Sequence, residues 1–454
     1  MNDYRYLITS YNDQLTTKAG AKPRFFVRTY GCQMNERESE KLAALLSLLG
    51  YDPAPGEDEA DLILYNTCCV RESAEDKIWG HLSRLKRLKQ EKPNLLIAVS
   101  GCMSQQEETA EIFRKKHKYV NLVFGTANRH RLPEFLWRVL EKNETVIDIS
   151  GIEGDEVPEI TEVSATTREF PHKAGVNIMY GCNNYCAYCI VPYVRGRERS
   201  RPAADILQEI ESLANDGVKE IMLLGQNVNS YAYGFTELLE KANEIDGLKR
   251  IRFMTSHPKD CSDELITAMK TLPKICKSIH LPLQSGSTKI LNDMNRNYTQ
   301  QQYLTLAKKL TEAGIAISTD IIVGYPGETE EDFEATLDVV RTVRFSGVFT
   351  FIYSKRSGTP AAERTDTPNR KIINDRFDRL TSQIQPILQE INNKKIGLIL
   401  EIMVEEPPKN GLYKGRTNDH ALVHFTSPKT LTQGEITQIK ITEAKTFYMI
   451  GETP

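Results

Sequence analysis

Three cysteines, Cys32, Cys68 and Cys102, stand directly behind three short apolar runs, and this regularity constrains the fold more than any other feature of the chain. RFFVRT (24–29) reads as a strand leading into Gly31-Cys32, DLILYN (61–66) as a strand leading into Thr67-Cys68, and LLIAVS (95–100) as a strand leading into Gly101-Cys102. Helical stretches follow them. ERESEKLAALLSLLG carries Leu42, Leu45, Leu46 and Leu49 on one stripe, the next stretch puts Ile78, Leu82 and Leu85 on one face, and a third starts near Ser104. Such alternation predicts parallel βαβ units. Parallel strands finish on one edge of their sheet, and open α/β sheets bind ligands outside that edge. The three cysteines are therefore expected on one rim as a cluster.

The 454 residues are too many for one core. Residues 1–22, polar and without sustained period, read as a flexible N-terminal extension, and 23–148 as the open parallel βαβ domain. The acid-rich stretch around 149–167 reads as a linker. From 168 to 393 a second alternating series begins, with strands expected to start at Gly175, Lys219, Lys249, Lys277, Ile315 and Gly347. Six βα units fit a partial parallel barrel, (β/α)6, better than a full eight-unit one. Pro386 is expected to kink or divide the last helix of that domain. From 394 to 454, short β-like runs separated by turn residues predict a small all-β barrel. The fold class is thus α/β, with an all-β tail.

A formal net charge of −3 confines any basic surface to a local patch. No apolar run is long enough to span a bilayer, and the N-terminus lacks the charged-then-apolar pattern of a secretory signal. A cytoplasmic protein without a membrane partner is expected, and a monomer. In a reducing compartment the nine cysteines are expected as thiols or ligands rather than disulfides.

GCNNYCAYC (181–189) places Cys182, Cys186 and Cys189 in the loop after the strand VNIMY. Thiolates suit zinc or an iron–sulfur cluster. A zinc site would need a distant fourth donor such as His172, whereas three ligands on a four-iron cluster leave one iron open.

CNNYCAYC has the CxxxCxxC form of the radical S-adenosylmethionine enzymes. TYGCQMNERESE (29–40), NTCCVRESAEDK (66–77), SGCMSQ (100–105) and YGCNNYCAYCIVPYVRGRERSRP (180–202) together resemble the methylthiotransferases of that superfamily. YGCQMN and NTCxVRE look like the branch that modifies isopentenylated adenosine beside the tRNA anticodon, and the β tail resembles the RNA-binding TRAM domain. The resemblance implies two 4Fe-4S clusters, one on Cys182, Cys186 and Cys189 completed by S-adenosylmethionine, and an auxiliary one on Cys32, Cys68 and Cys102. It implies a 5′-deoxyadenosyl radical that activates C2 of the base, a sulfur supplied by the auxiliary cluster, and a methyl group from a second S-adenosylmethionine. Chemistry of this kind belongs to cofactors, so no catalytic side chain beyond the cluster ligands is expected. The family has alanine or another small residue where this chain has Cys69, which reads as a packed thiol beside the ligand Cys68.

Cosubstrate contacts are expected from Tyr188, from Gly225 and Gln226 in LLGQN, from Gln284 in PLQSGS and from Gly324 in DIIVGYPGET; glycine there also fits a plain tight turn. Arg195, Arg197, Arg199 and Arg201 alternate, so an extended segment would carry all four on one side, either for RNA phosphates or as solvated charge. Lys414 and Arg416, among aromatic residues of the tail, suit single-stranded RNA. His257, Trp79, Cys261 and Cys276 read as packing residues. The implied partners are the tRNA anticodon stem-loop, an electron donor such as flavodoxin or ferredoxin, and a sulfur or iron–sulfur supply system. Two alternatives stand beside this reading: a methylthiotransferase acting on threonylcarbamoyladenosine or a ribosomal protein, and a non-catalytic metal-stabilised RNA-binding protein.

Overall fold

The structure, a computed structural model, describes residues 2–69, 72–151, 168 and 170–454. The expected linker, 149–167, lies almost wholly outside the described residues. The chain divides into two compact units. The first comprises Met1–Glu169, Tyr180–Asn183 and Ile190–Arg199, and the second comprises Phe170–Met179, Asn184–Cys189 and Ser200–Pro454. After the expected domain boundary near 168 the chain therefore returns to the first unit twice and crosses between the units four more times.

In the first unit the expected N-terminal extension is a helix, α1 (Asn2–Ala19). Tyr4, Ile8 and Tyr11 recur at helical spacing. Ile8 is 1% exposed in the core, and the Tyr4 ring lies 5.6 Å from Trp137. This stripe is narrow amid polar residues, which is why no period stands out in the sequence. Next come β1 (Arg24–Thr29), α2 (Gln33–Leu48), β2 (Asp52–Pro53), β3 (Leu62–Thr67), α3 (Glu72–Glu91), β4 (Leu96–Gly101), α4 (Glu107–Lys116), β5 (Leu122–Phe124), α5 (Leu132–Lys142) and β6 (Val146–Asp148). The six strands form one parallel sheet in the order β2-β1-β3-β4-β5-β6. Alternate residues serve two faces. Leu62 and Leu64 pack with Leu42, Leu45 and Phe135, while Ile63 and Tyr65 pack with Ile78, Leu82 and Phe113. The order reverses between β1 and β3, the crevice where open α/β sheets take ligands.

The second unit begins with β7 (Lys173–Asn177), and three short elements follow it in the chain, β8 (Met179–Tyr180), α6 (Val191–Arg195) and β9 (Arg199–Ser200). The series continues through α7 (Ala203–Asn215), β10 (Glu220–Leu224), α8 (Phe235–Glu244), β11 (Arg250–Phe253), α9 (Asp263–Thr271), β12 (Ser278–His280), α10 (Thr288–Asp293), α11 (Gln300–Glu312), β13 (Ala316–Val323), α12 (Glu330–Val343), β14 (Gly347–Ile352) and α13 (Arg370–Asn393). Parallel sheets β11-β10-β7 and β12-β13-β14 are joined by the Ile251–Ile275 bridge, giving the expected six-strand partial barrel. Pro386 does not divide α13. It lies on the exposed face, while Leu380, Ile384, Ile387 and Leu388 hold both sides of it against the barrel core.

Strands β15 (Ile399–Lys409), β16 (Leu412–Thr417), β17 (Leu422–Thr426), β18 (Ile436–Ala444) and β19 (Met449–Glu452) close into the expected C-terminal barrel. Its core includes Ile402, Val404, Val423, Phe425, Ile439 and Met449. This barrel docks on the N-terminal ends of the parallel strands. Arg252 donates through Nη2 to the Thr417 carbonyl (2.9 Å) and through Nη1 to the Asn418 carbonyl (3.1 Å), and its Nε meets Glu220 Oε2 at 3.0 Å. Arg250 donates to the Arg416 carbonyl (2.7 Å), and the Lys277 N–H to Asn418 Oδ1 (2.6 Å). Among the described residues no helix is long and apolar enough to cross a membrane.

Candidate cluster-binding sites

In the first unit Cys32, Cys68 and Cys102 follow β1, β3 and β4 directly, so parallel pairing brings them to one edge, at the crevice where strand order reverses. Cys32 is exposed, whereas Cys68 and Cys102 are buried. Two glycines fit the strand ends together. Gly31 has φ +119°, and a β-carbon there would lie 2.8 Å from Cys68 Sγ. Gly101 has φ +105°, and a β-carbon there would lie 2.2 Å from the Thr67 carbonyl oxygen.

Asn35, on the first turn of α2, laces these turns. Its Nδ2 donates to the carbonyls of Tyr30 and Thr67, both at 2.9 Å. Asn66 Nδ2 returns a bond to the Asn35 carbonyl (2.9 Å), and Thr67 Oγ1 donates to the Ser100 carbonyl (2.6 Å). The Cys102 thiol is held below the usual thiol range, first by the Cys69 side chain bonded to it and then, against burial, by the charge of Arg195. Cys69 is 0% exposed, as a packed thiol would be, but it packs against a proposed ligand.

Arg195 departs most from expectation. Alternation predicts a shared outward side for the four arginines, yet α6 is helical up to Arg195, which breaks the alternation. Arg195 and Arg201 are buried; Arg197 is exposed and Arg199 partly so. Arg195 donates through Nη1 to Glu38 Oε1 (2.7 Å), through Nη2 to Asn35 Oδ1 (2.8 Å) and through Nε to Cys102 Sγ (3.2 Å). Glu38 also meets Arg129 Nη1 at 2.9 Å. Burial would raise the Glu38 carboxyl, but Arg129 and Arg195 hold it below the usual range. Arg195 is thus not presented to RNA. Arg201 Nη1 is held by Glu209 (2.7 Å) and the Asn177 carbonyl (2.6 Å).

Of the second cysteine set, Cys182 belongs to the first unit and Cys186 and Cys189 to the second. In the second unit the cysteine loop is fastened by its backbone: the Ala187 N–H donates to the Met294 carbonyl (3.0 Å), and Asn295 Nδ2 donates to the carbonyls of Asn184 and Tyr185 (3.1 Å each). Arg296, 5% exposed, directs Nη1 at Cys186 Sγ (3.4 Å) and Nη2 at the Pro282 carbonyl (3.1 Å). Tyr188 packs beside Ile290, Met294 and Tyr325. His172 stands before β7, at the opposite end of that strand from the cysteine loop, which removes it as a fourth donor.

The C-terminal ends of the barrel strands carry buried polar atoms that have no hydrogen-bond partner among the described residues: Asn227 Oδ1 after β10, Ser256 Oγ and His257 Nε2 after β11, and Gln284 Oε1 after β12. Buried polar atoms are nearly always satisfied, so such a set points to a polar ligand. His257 Nδ1 accepts from the Lys259 N–H (3.2 Å), which leaves the hydrogen on Nε2. Burial first, then Arg296 and Lys259, push its pKa down to about 2, so the ring is a neutral donor. Backbone strain lies here too: Thr255 has φ +71° and Gln284 φ +66°. Of the expected cosubstrate contacts, Gln284 belongs to this set. Gln226 is partly buried at the end of the same strand as Asn227. At Gly225 and Gly324 packing also requires glycine, since β-carbons there would lie 2.5 Å from Met179 Cγ and 2.7 Å from Ile373 Cγ1. Lys414 pairs with Glu406 (2.9 Å), whereas Arg416 (3.3 Å) shares Glu405 with Lys173 (2.5 Å), so Lys414 is matched one to one and Arg416 only in part.

Glu38 and Asn35, three apart on α2, form a pattern readable from the sequence, but Arg129 and Arg296 carry no signal in their surroundings. Among the described residues no three His, Cys, Asp or Glu side chains gather tightly enough to hold a single metal ion. A multi-iron cluster takes each thiolate on a separate iron and so accepts wider spacing. Thiolate donors with arginines on two of their sulfurs fit that group.

Residues 176–340 match the radical SAM superfamily model, and residues 24–125 match the uncharacterized protein family UPF0004. A tRNA-2-methylthio-N(6)-dimethylallyladenosine synthase from Acetivibrio thermocellus is 47% identical over 454 residues, covering 98% of this chain and 94% of the relative. A protein of the same name from Clostridium novyi is 50% identical over 447 residues, covering 96% and 98%. Among solved structures, the radical S-adenosylmethionine methyltransferase TsrM from Kitasatospora setae, with cobalamin and a [4Fe-4S] cluster bound, shares the fold with TM-score 0.54 and 14% identity, covering 87% of this chain and 81% of that one.

Proposed function

The chain belongs to the tRNA-2-methylthio-N(6)-dimethylallyladenosine synthase family, and from that premise we propose that it transfers a methylthio group to C2 of N6-isopentenyladenosine at position 37, beside the tRNA anticodon. Cys32, Cys68 and Cys102 hold the auxiliary 4Fe-4S cluster, and Cys182, Cys186 and Cys189 hold the one that binds S-adenosylmethionine. Bound there, the clusters and S-adenosylmethionine supply the radical, the sulfur and the methyl group. The protein's own contribution is placement. Strand ends fix the cysteines, Arg195 and Arg296 bear on one sulfur of each set, and buried polar groups wait at the barrel mouth. Ser256, neutral His257 and Gln284 offer the cosubstrate hydrogen bonds in a site largely closed to water. The observation that carries the reading is the pair of cysteine triplets, one behind three parallel strands of an open sheet and one behind the first strand of a partial barrel.

Arg197 and Arg199 meet RNA phosphates, with Lys414 and Arg416 as weaker contributors because acidic neighbours pair with them. Electrons come from a flavodoxin or ferredoxin and sulfur from an iron–sulfur supply system. The enzyme works as a cytoplasmic monomer. The test is nucleoside mass spectrometry of tRNA from a deletion strain. Loss of the 2-methylthio nucleoside, restored by the wild-type gene but not by Cys32→Ala or Cys186→Ala, is the expected result. Normal 2-methylthio content in the deletion strain refutes the proposal.

A further inference from the structure

Arg195 follows the second cysteine set in sequence, yet its side chain belongs to the auxiliary site of the first unit. All edges of its guanidinium are in use: Nε on Cys102 Sγ, Nη1 on Glu38 and Nη2 on Asn35. Asn35 in turn donates to the Tyr30 and Thr67 carbonyls, which lie in the turns leading to Cys32 and Cys68. One cation is thus keyed to all three cysteine-bearing turns, directly at Cys102 and through Asn35 at the other two. Arginine keeps its charge at any working pH, and its fixed fork loses little freedom in such a site. Arg195 and Arg129 share the single carboxylate of Glu38, on which buried Lys41 also acts, so positive charge is in excess beside the thiolates. Hydrogen bonds and charge at cluster sulfurs are among the levers that set a reduction potential.

We propose that Arg195 is a positioning residue that tunes the auxiliary cluster: its guanidinium, bonded to the Cys102 sulfur, favours the reduced cluster, and Glu38 attenuates that effect. The proposal rests on the assignment of Cys32, Cys68 and Cys102 as cluster ligands. The test uses the full chain with Cys182, Cys186 and Cys189 changed to alanine, so that the auxiliary cluster alone is reconstituted anaerobically and titrated with reductant while its paramagnetic resonance signal is followed. Arg195→Gln is expected to keep its iron and to shift the one-electron equilibrium about tenfold toward the oxidised form, about 59 mV lower. Arg195→Lys is expected to shift it less, and Glu38→Gln to shift it the opposite way. An unchanged potential in an iron-replete Arg195→Gln protein overturns the proposal. Should Arg195→Gln fail to load iron, an unchanged potential in Glu38→Gln overturns it instead. Cys102→Ala in the same background is expected to lose the remaining cluster. Full iron retention there would refute the ligand assignment itself, which is a separate failure.

Discussion

Replacing Gly101 by alanine separates two costs that glycine avoids at the auxiliary site. The backbone there has φ +105°, and a β-carbon would lie 2.2 Å from the Thr67 carbonyl oxygen and 2.6 Å from the Thr67 nitrogen. Those atoms are main chain, paired into the β3–β4 ladder, so they cannot swing aside. The positive φ costs about 1–2 kcal/mol and the overpacking about 1–3 kcal/mol more. Gly196 provides the comparison. It has φ +75° and ψ −165°, a region essentially reserved for glycine, with open space where a β-carbon would sit, so Gly196→Ala carries the conformational cost alone, about 1–3 kcal/mol. Both tryptophans, Trp79 and Trp137, lie in the first unit, so their fluorescence reports its unfolding selectively. At about 2–4 °C per kcal/mol for a unit of this size, iron-free Gly101→Ala is expected to melt on the order of 10 °C below wild type and Gly196→Ala a few degrees below. Gly101→Ala is also expected to lose the auxiliary iron, about half the total. Equal melting points for the two variants, with iron intact in both, would refute the claim that rigid backbone contact at Gly101 holds Cys102 in place.

Removing the cation in Arg252→Met leaves Glu220, 6% exposed, buried without its partner and is expected to destabilise the second unit by about 3–5 kcal/mol. Hydrogen exchange should accelerate at 417–421, and Arg252→Met/Glu220→Gln should recover part of the loss. Acid should weaken the second unit through His172, whose pKa burial, aided by Lys173, lowers to about 4. Between pH 6.5 and about 4 the unfolded chain binds a proton that the folded one refuses, so stability is full above 6.5 and falls as pH drops. Circular dichroism melts of iron-free His172→Phe should show a shallower decline over that window, with His257 retaining part of it. Arg197→Ala should lower the salt slope of anticodon stem-loop binding by about one, and Lys414→Ala by less, as fluorescence anisotropy at several salt concentrations can measure.

The strand-end cysteines are legible because a periodic signal of apolar runs, each closed by glycine or threonine and cysteine, repeats three times, and parallel topology then dictates a common edge. The barrel strands and the β tail are legible for the same reason. The place of Arg195 is not, because alternation in VRGRERSR implies an extended segment, and the local helix Val191–Arg195 with its Gly196 turn rotates the first arginine inward. Arg296, Ser256 and His257 stay hidden because burial and pairing between distant loops leave no periodic trace. Helix α1 escapes a reading of the sequence because its apolar stripe is thin.

The attachment of the C-terminal barrel has a practical consequence. The turn around Asn418 caps the floor of the parallel barrel, and carbonyls from it occupy Arg250 and Arg252. Cutting the chain before β15 would not leave a trimmed but sound catalytic half. It would uncover two cations and Glu220 to solvent at the base of the chamber, so an inactive truncation would say nothing about RNA capture.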